Sequence, residues 1–407
     1  MNTRTRAPRC TALAVVTMAA AVTAGAIVPA SAALAARPAA ATASHALPEL
    51  DPAALRHVLS GLPNDDITGA LVRITGRAGQ WSGTAGEGDI ATGARVDRSG
   101  RFRIGSVSKI FTATVLLQLA GEGRLDLHAT VQHYLPGLLP AGYPPIEVGQ
   151  LLNHTSGLPG RGGERLWGDG TTRWFADHRL DSWTPRQVVA ELVQGTPMDF
   201  APGHAQEYNG LNTFIAGLVA ERVTGRPFAR EVHDRITGPL GLRDTYLPEV
   251  TDARLPRPAA HGYLTVPEGT SHLTDVTEQS AWPWAEGGMI SSAPDLDHFV
   301  TALFSGRLLR PAQQRLLFTV PDLPNFDNHN CETGGAHRAC LSMGLMRHTF
   351  PDGTVVWGKT GSRPGFTDGV FATRDLSRRL VYCVNPTGLT GAETPYVLRL
   401  VSTVFTK

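Results

Sequence analysis

Strand-like segments lie at both ends of this 407-residue chain and helix-like ones between them, so the two ends must meet if the strands are to share a sheet. Near the start, Leu71-Val-Arg-Ile-Thr and Gly79-Gln-Trp-Ser-Gly-Thr-Ala read as two strands, followed by Arg101-Phe-Arg-Ile-Gly, which is short and alternating. Near the end, Thr354-Val-Val-Trp-Gly, Gly369-Val-Phe-Ala-Thr-Arg and Arg379-Leu-Val-Tyr-Cys-Val read as three meandering antiparallel strands. The stretch 148–310 carries helical patterns at 187–193, 212–224 and 295–304 between Gly and Pro turns, and helical periodicity returns at 394–405. The expected fold is α/β in the α+β sense: an antiparallel sheet formed from both termini, flanked by helices, with a mostly helical inserted subdomain at about 148–310. No internal repeat at the periods of solenoids or propellers is found.

The folded part is expected to start near Pro48. Ahead of it, Arg4, Arg6 and Arg9 precede an apolar stretch and then Ala30-Ser31-Ala32, the pattern of a signal peptide over 1–32. A membrane anchor is the competing reading, but the run is rich in Ala and Thr and short of the roughly 20 strongly apolar residues a span needs. Cleavage after Ala36 is also permitted by Leu34-Ala35-Ala36. Residues 33–47, rich in Ala, Pro and Thr, read as a flexible leader. A secreted, extracellular protein is the expectation, and export would leave Cys331, Cys340 and Cys383. Cys331 and Cys340 flank a Gly-Gly loop and are expected to pair, with Cys383 a buried free thiol in an apolar run. A net charge of +1 gives no footprint for nucleic acid or an anionic membrane.

Only three of the 37 basic residues are lysine: Lys109, Lys359 and Lys407. Arginine is this chain's default cation, so an internal lysine marks a site where a guanidinium fails, being too broad and unable to deprotonate. The first lies in Ser106-Val107-Ser108-Lys109, at or just before the start of a helix in which Ile110, Val115, Leu116 and Leu119 recur at helical spacing. Residues three apart share a helix face, so the Lys109 amine can reach the Ser106 hydroxyl, a weak nucleophile that needs an adjacent base. The helix start offers the Ser106 N–H to a developing oxyanion. The second lies in Lys359-Thr360-Gly361, after the strand at 354–358. There a cation and a hydroxyl could hold a substrate carboxylate, glycine could admit the substrate backbone, and the Ser362 N–H would be the second oxyanion donor.

With these two motifs in order, the chain resembles the serine beta-lactamase and DD-peptidase superfamily, in the branch of class C beta-lactamases, D-alanyl-D-alanine carboxypeptidases and related esterases. The resemblance also includes Leu151-Leu-Asn-His-Thr-Ser-Gly-Leu-Pro, Phe200-Ala-Pro-Gly, Gly241-Leu-Arg-Asp-Thr and Gly287-Gly-Met-Ile-Ser-Ser-Ala-Pro-Asp-Leu. It implies that Tyr208, following Phe-x-Pro-Gly, is a general base and acid beside Ser106. The family reads Tyr-x-Asn there, with the asparagine holding the substrate's amide, whereas this chain reads Tyr208-Asn209-Gly210. Asn209 or Asn212 could substitute only from a different direction. His154 invites a triad, but a base is already placed and its stretch reads as a turn beneath the site. His204, His261, Trp282 and Trp284 are candidates to line the pocket.

The expected activity is acyl transfer through Ser106, Lys109 and Tyr208, with Lys359, Thr360, Gly361 and Ser362 binding substrate. No metal or cofactor is expected. The leading substrate that the resemblance implies is a peptide ending in D-alanine, as in cell-wall peptidoglycan, with penicillin acylating the same serine. A beta-lactamase, and an esterase or D-amino-acid amidase, are the alternatives. A non-catalytic penicillin-binding module is the alternative of another class. A monomer is expected.

Overall fold

The computed structural model describes residues 47–160, 163–267, 272–326 and 338–406. The expected signal peptide, all but the last residue of the leader, and Cys331 lie outside them. From the N-terminal side come β1 (Ile67–Thr75), β2 (Trp81–Asp89) and β3 (Ala94–Arg95). Next come β4 (Arg101–Arg103), β5 (Tyr263–Val266), β6 (His272–Asp275) and β7 (Ile290–Ser292), which stand apart as two small sheets, β4 with β7 and β5 with β6. The C-terminal side supplies β8 (Met346–Thr349), β9 (Val355–Arg363), β10 (Phe366–Thr373) and β11 (Arg379–Pro386). The main sheet runs β3-β2-β1-β11-β10-β9-β8. The two ends meet where β1 pairs antiparallel with β11, from Gly69 opposite Asn385 to Thr75 opposite Arg379.

Three details differ from the sequence reading. Four strands, not three, come from the C-terminal part, because β8 is a four-residue edge strand whose Met-Arg-His-Thr lacks an apolar alternation. The Arg101 segment pairs with Ile290–Ser292 instead of joining the main sheet. Lys359, Thr360 and Gly361 lie within β9, which continues to Arg363 because β10 pairs with it along that whole stretch.

Helices cover both faces, which is why β1 and β11 are buried along nearly their whole length. On one face, Pro52–Leu59 and Thr394–Phe405 pack Leu55, Val397 and Leu400 against Val72, Phe371 and Leu380. Burying a side chain such as Leu400 contributes about 1.5–3 kcal/mol. On the other, the helix Ala293–Phe304 lies between the sheet and the helix Ser108–Gly121, with the rings of Phe299 and Phe111 stacked 3.9 Å apart. Ser108–Gly121 is buried almost all round, so apolar spacing locates it but does not show a wet face. No helix among the described residues is long and apolar enough to cross a membrane.

Candidate active site

Ser106 sits in a 3₁₀ turn, Gly105–Val107, that leads directly into the helix Ser108–Gly121. Two glycines bring this turn against β9. Gly105 has φ +43°, and a Cβ there would stand 2.5 Å from the Ser362 backbone nitrogen, so no side chain fits. At Gly361 a Cβ would meet the Ile104 carbonyl at 2.2 Å and the Asp368 carboxyl at 2.7 Å. The missing side chain at Gly361 is therefore needed for packing within the protein. β8 pairs with β9 only as far as Gly358, so from Lys359 onward this edge is open beside Ser106. Thr360 and Ser362 are exposed on it, while Lys359 is buried.

Lys109 spends its three hydrogens on three acceptors. Its Nζ donates to Ser106 Oγ at 2.9 Å, to the Glu286 carbonyl at 3.0 Å, and to Glu286 Oε1 in a close ion pair. Burial pulls the Lys109 amine down, but Glu286 and Tyr208 outweigh it and raise its pKa, so it rests as the ammonium. Because Ser106 Oγ accepts from Lys109, its own proton is free to go to another base.

Tyr208 lies between two cations, with Lys359 Nζ 4.5 Å and Lys109 Nζ 5.1 Å from its ring centroid. Its hydroxyl is buried and lacks a hydrogen bond of proper geometry. Burial would push the phenol up, yet Lys109 and then Lys359 override it and lower its pKa. The Lys359 amine is itself lowered by burial and donates to the Thr360 carbonyl at 3.1 Å. The structure thus brings together Ser106, Lys109, Tyr208, Lys359, Thr360 and Ser362.

The asparagine missing at 210 is not replaced by Asn209 or Asn212. Asn209 donates to the carbonyls of Leu158 (2.8 Å) and Pro159 (2.9 Å), and Asn212 Oδ1 accepts from Ser156 at 2.6 Å. Instead Glu286 fills the space, since a Cβ on Gly210 would stand 3.0 Å from Glu286 Oε1 and 3.1 Å from its Cγ. Glu286 is carried by the short helix Trp284–Gly287, which is tied to the helix Ser108–Gly121 by Thr112 Oγ1 donating to the Ala285 carbonyl at 2.8 Å. Sequence reading missed it, although it directly precedes the quoted Gly287-Gly motif. His154 is buried under Tyr208, ring to ring 4.9 Å, and accepts from the Asn209 N–H at 3.2 Å. Burial, then Lys109 and Lys359, lower its pKa to about 3, so it is a neutral prop and not a base.

Two cavities open on either side of Ser106 and share Ser362. One, of about 520 Å³, includes Tyr208, Lys359 and Thr360. The other, of about 270 Å³, includes Glu286 and several aromatic residues, Trp282 among them. Trp284 belongs to the core, packed edge-on against Phe228. His261 pairs with Asp275 at 2.8 Å, and His204 is exposed; neither lines these two cavities. Asp368, fully buried behind Gly361, has no hydrogen bond to either oxygen among the described residues, and burial raises its pKa well above the ordinary carboxyl value against the pull of Lys359. Cys383 is free and buried, and Cys340 is disulfide-bonded. No cluster of metal-ligating residues occurs among the described residues.

A Ser-x-x-Lys turn, a tyrosine between two ammonium groups and an open Lys-Thr-Gly strand edge define the layout of a serine beta-lactamase-fold hydrolase. The chain belongs to the Beta-lactamase family, whose sequence model matches residues 53–401. Among curated proteins, Esterase EstB of Burkholderia gladioli is 31% identical over 255 residues, covering 55% of this chain and 63% of the esterase. Penicillin-binding protein 4 of Amycolatopsis lactamdurans is 29% identical over 216 residues, covering 51% of this chain and 52% of that protein. The chain thus spans little more than half the length of these relatives. Among solved structures, a D-stereospecific amidohydrolase from Streptomyces sp. superimposes with a TM-score of 0.73 at 32% identity, over 87% of this chain and 98% of its own. The D-amino acid amidase of Ochrobactrum anthropi SV3, at 22% identity and a TM-score of 0.70 over 86% of this chain and 98% of its own, shares the fold.

Proposed function

We propose that the protein is an acyl-enzyme amidohydrolase acting on D-amino-acid amides and related D-peptides, with Ser106 as nucleophile. The observation that carries this reading is the hydrogen-bonded Ser106–Lys109 pair beside a Tyr208 phenol whose pKa two cations depress. The Tyr208 phenolate takes the Ser106 proton as Oγ bonds to the carbonyl carbon, while Lys109 steadies Oγ by donation. The oxyanion is received by the N–H groups of Ser106 and Ser362. As the C–N bond breaks, Tyr208 returns the proton to the leaving amine. Water then attacks the ester, giving one proton to Tyr208, which passes it to Ser106 Oγ as the C–O bond breaks and the acid departs.

The likeness to the D-stereospecific amidohydrolase over nearly its whole chain supports the choice of substrate. The second reading, a D-alanyl-D-alanine carboxypeptidase that binds penicillin, is favoured by Lys359 and Thr360 beside the site. It is the weaker reading, because the Lys359 ammonium is 5% exposed and committed to Tyr208 and the Thr360 carbonyl, where a substrate carboxylate needs a free cation.

The test compares wild type with Ser106→Ala and Lys109→Arg. Substrates are the two enantiomers of phenylalanine amide, a D-alanyl-D-alanine peptide and a penicillin, read by product release and intact mass. Expected are hydrolysis of D-phenylalanine amide, no turnover by Ser106→Ala, and a loss of about tenfold or more in Lys109→Arg, since a planar guanidinium cannot reproduce the compact three-way donation of Lys109 and a hydrogen bond to a charged group is worth about 1.5–3 kcal/mol. Release of D-alanine with a lasting penicillin adduct, and no amide hydrolysis, would install the second reading. Full activity in Ser106→Ala would remove both.

A further inference from the structure

Tyr208 must protonate the departing amine, so the leaving group lies in the cavity that holds Tyr208 and Lys359. The acyl residue of the substrate is then left to the opposite cavity, walled by Trp167, Trp174, Phe175 and Trp282, and Glu286 is there with it. Glu286 keeps 17% of its side chain exposed. One of its oxygens is taken by Lys109 and the other has no hydrogen bond among the described residues. Bound between Ser106 and this carboxylate, Lys109 sets the two a single ammonium apart, which is the reach from a carbonyl under attack to the substituent on its α-carbon.

The vacancy at Gly210 makes this possible. An asparagine there would meet the Glu286 side chain and would offer a neutral amide where this chain offers an anion. A neutral amide suits an acylated amine; an anion suits an ammonium, through a charge-assisted hydrogen bond. The other cation close by, Arg363, donates to Gln279 Oε1 at 3.1 Å and the Ser280 carbonyl at 3.2 Å, so it does not cover the Glu286 oxygen that Lys109 leaves open.

Building on the amidohydrolase reading, we propose that Glu286 is the specificity residue for a free α-ammonium group, and that the tryptophan-walled cavity takes the side chain of the same residue. The substrates are unblocked amides or N-terminal peptide bonds of aromatic amino acids, and N-acylated substrates are disfavoured twice over. Acylation removes the positive charge, and it adds bulk against the carboxylate.

The experiment measures kcat/KM for D-phenylalanine amide and N-acetyl-D-phenylalanine amide in wild type and Glu286→Gln. Because Glu286 also holds Lys109, the variant is expected to slow on both substrates; the readout is the ratio. Wild type should favour the free amine by about tenfold or more, the worth of one hydrogen bond to a charged group, and the variant should lose that preference mainly in KM. A second measurement needs no variant: 2-phenylethylamine should compete with substrate on wild type at least about tenfold better than its N-acetyl derivative, on the same basis. Equal rates on the two amides, a ratio unmoved in Glu286→Gln, or equal competition would overturn the assignment while Ser106 still acylates. Failure of p-nitrophenyl acetate to acylate Ser106 at all would instead overturn the amidohydrolase reading, and this inference with it.

Discussion

Lys359→Met removes one of the two charges that depress Tyr208 while keeping most of the lysine stem. The ammonium stands 4.5 Å from the ring centroid, where at an effective dielectric of about 20 two unit charges attract by about 3.7 kcal/mol, so its loss raises the Tyr208 pKa; relaxation and water entering the emptied site reduce the effect without reversing it. The sign follows from the charge: losing a cation disfavours the phenolate, so the limb on which kcat/KM rises with pH must move to higher pH. On that limb the rate at a fixed pH falls by about tenfold for each unit the limb moves, since the active fraction shrinks in proportion. The assay is the pH profile of kcat/KM on an activated ester, whose leaving group needs no proton, with Lys359→Arg as the charge-conserving control. A profile displaced in Lys359→Met and near wild type in Lys359→Arg is the expected pair. A uniform loss with an unmoved limb would mean that Tyr208 is not the titrating base, and the electrostatic argument would fall.

Two further outcomes follow from packing and burial. Gly105→Ala forces a Cβ to within 2.5 Å of the Ser362 nitrogen at a φ of +43°, so burst-phase acylation should fall at least about tenfold, with a lowered Tm, as strain at a left-handed position costs about 1–3 kcal/mol. Normal acylation would show that the turn and β9 need not touch. Asp368 has a raised pKa in the folded state, so the native protein binds its proton more tightly than the unfolded chain and stability drops as pH rises above the ordinary carboxyl range. Asp368→Asn should remove that part of the decline in Tm between pH 5 and pH 8; an unchanged slope would refute a neutral Asp368.

What the sequence disclosed of the site was mostly local. Ser106 and Lys109 are three residues apart, so helix geometry alone joins them, and the scarcity of lysine pointed to Lys359. Tyr208 needed the family pattern, because nothing in its neighbourhood marks a tyrosine between cations. Glu286 reaches Lys109 across 177 positions, and no periodicity encodes such a contact. Its only trace is Gly210, whose missing side chain leaves room for a partner that could not be named in advance. The sheet from both termini was legible because β1, β10 and β11 carry dense apolar runs and are buried along nearly their whole length. The edge strand β8 was not, because pairing with β9 and not its own composition makes it a strand. At Gly361 a glycine in the sequence shows that space is needed, but not that Ile104 and Asp368 take it up.

The junction of β1 with β11 bears on when the site can exist at all. Every residue assigned a chemical role lies between Ser106 and Ser362, but β10, which holds β9 in place, is bound to the N-terminal strands only through β11. A chain still emerging from the ribosome can carry the complete set of reacting groups and lack the strand that aligns them. Closing a sheet between residues more than 300 positions apart is slow, since the loop entropy is lost before the pairing is gained. Hydrolysis by a newly made chain therefore reports that its two ends have met, and its lag after synthesis times that event.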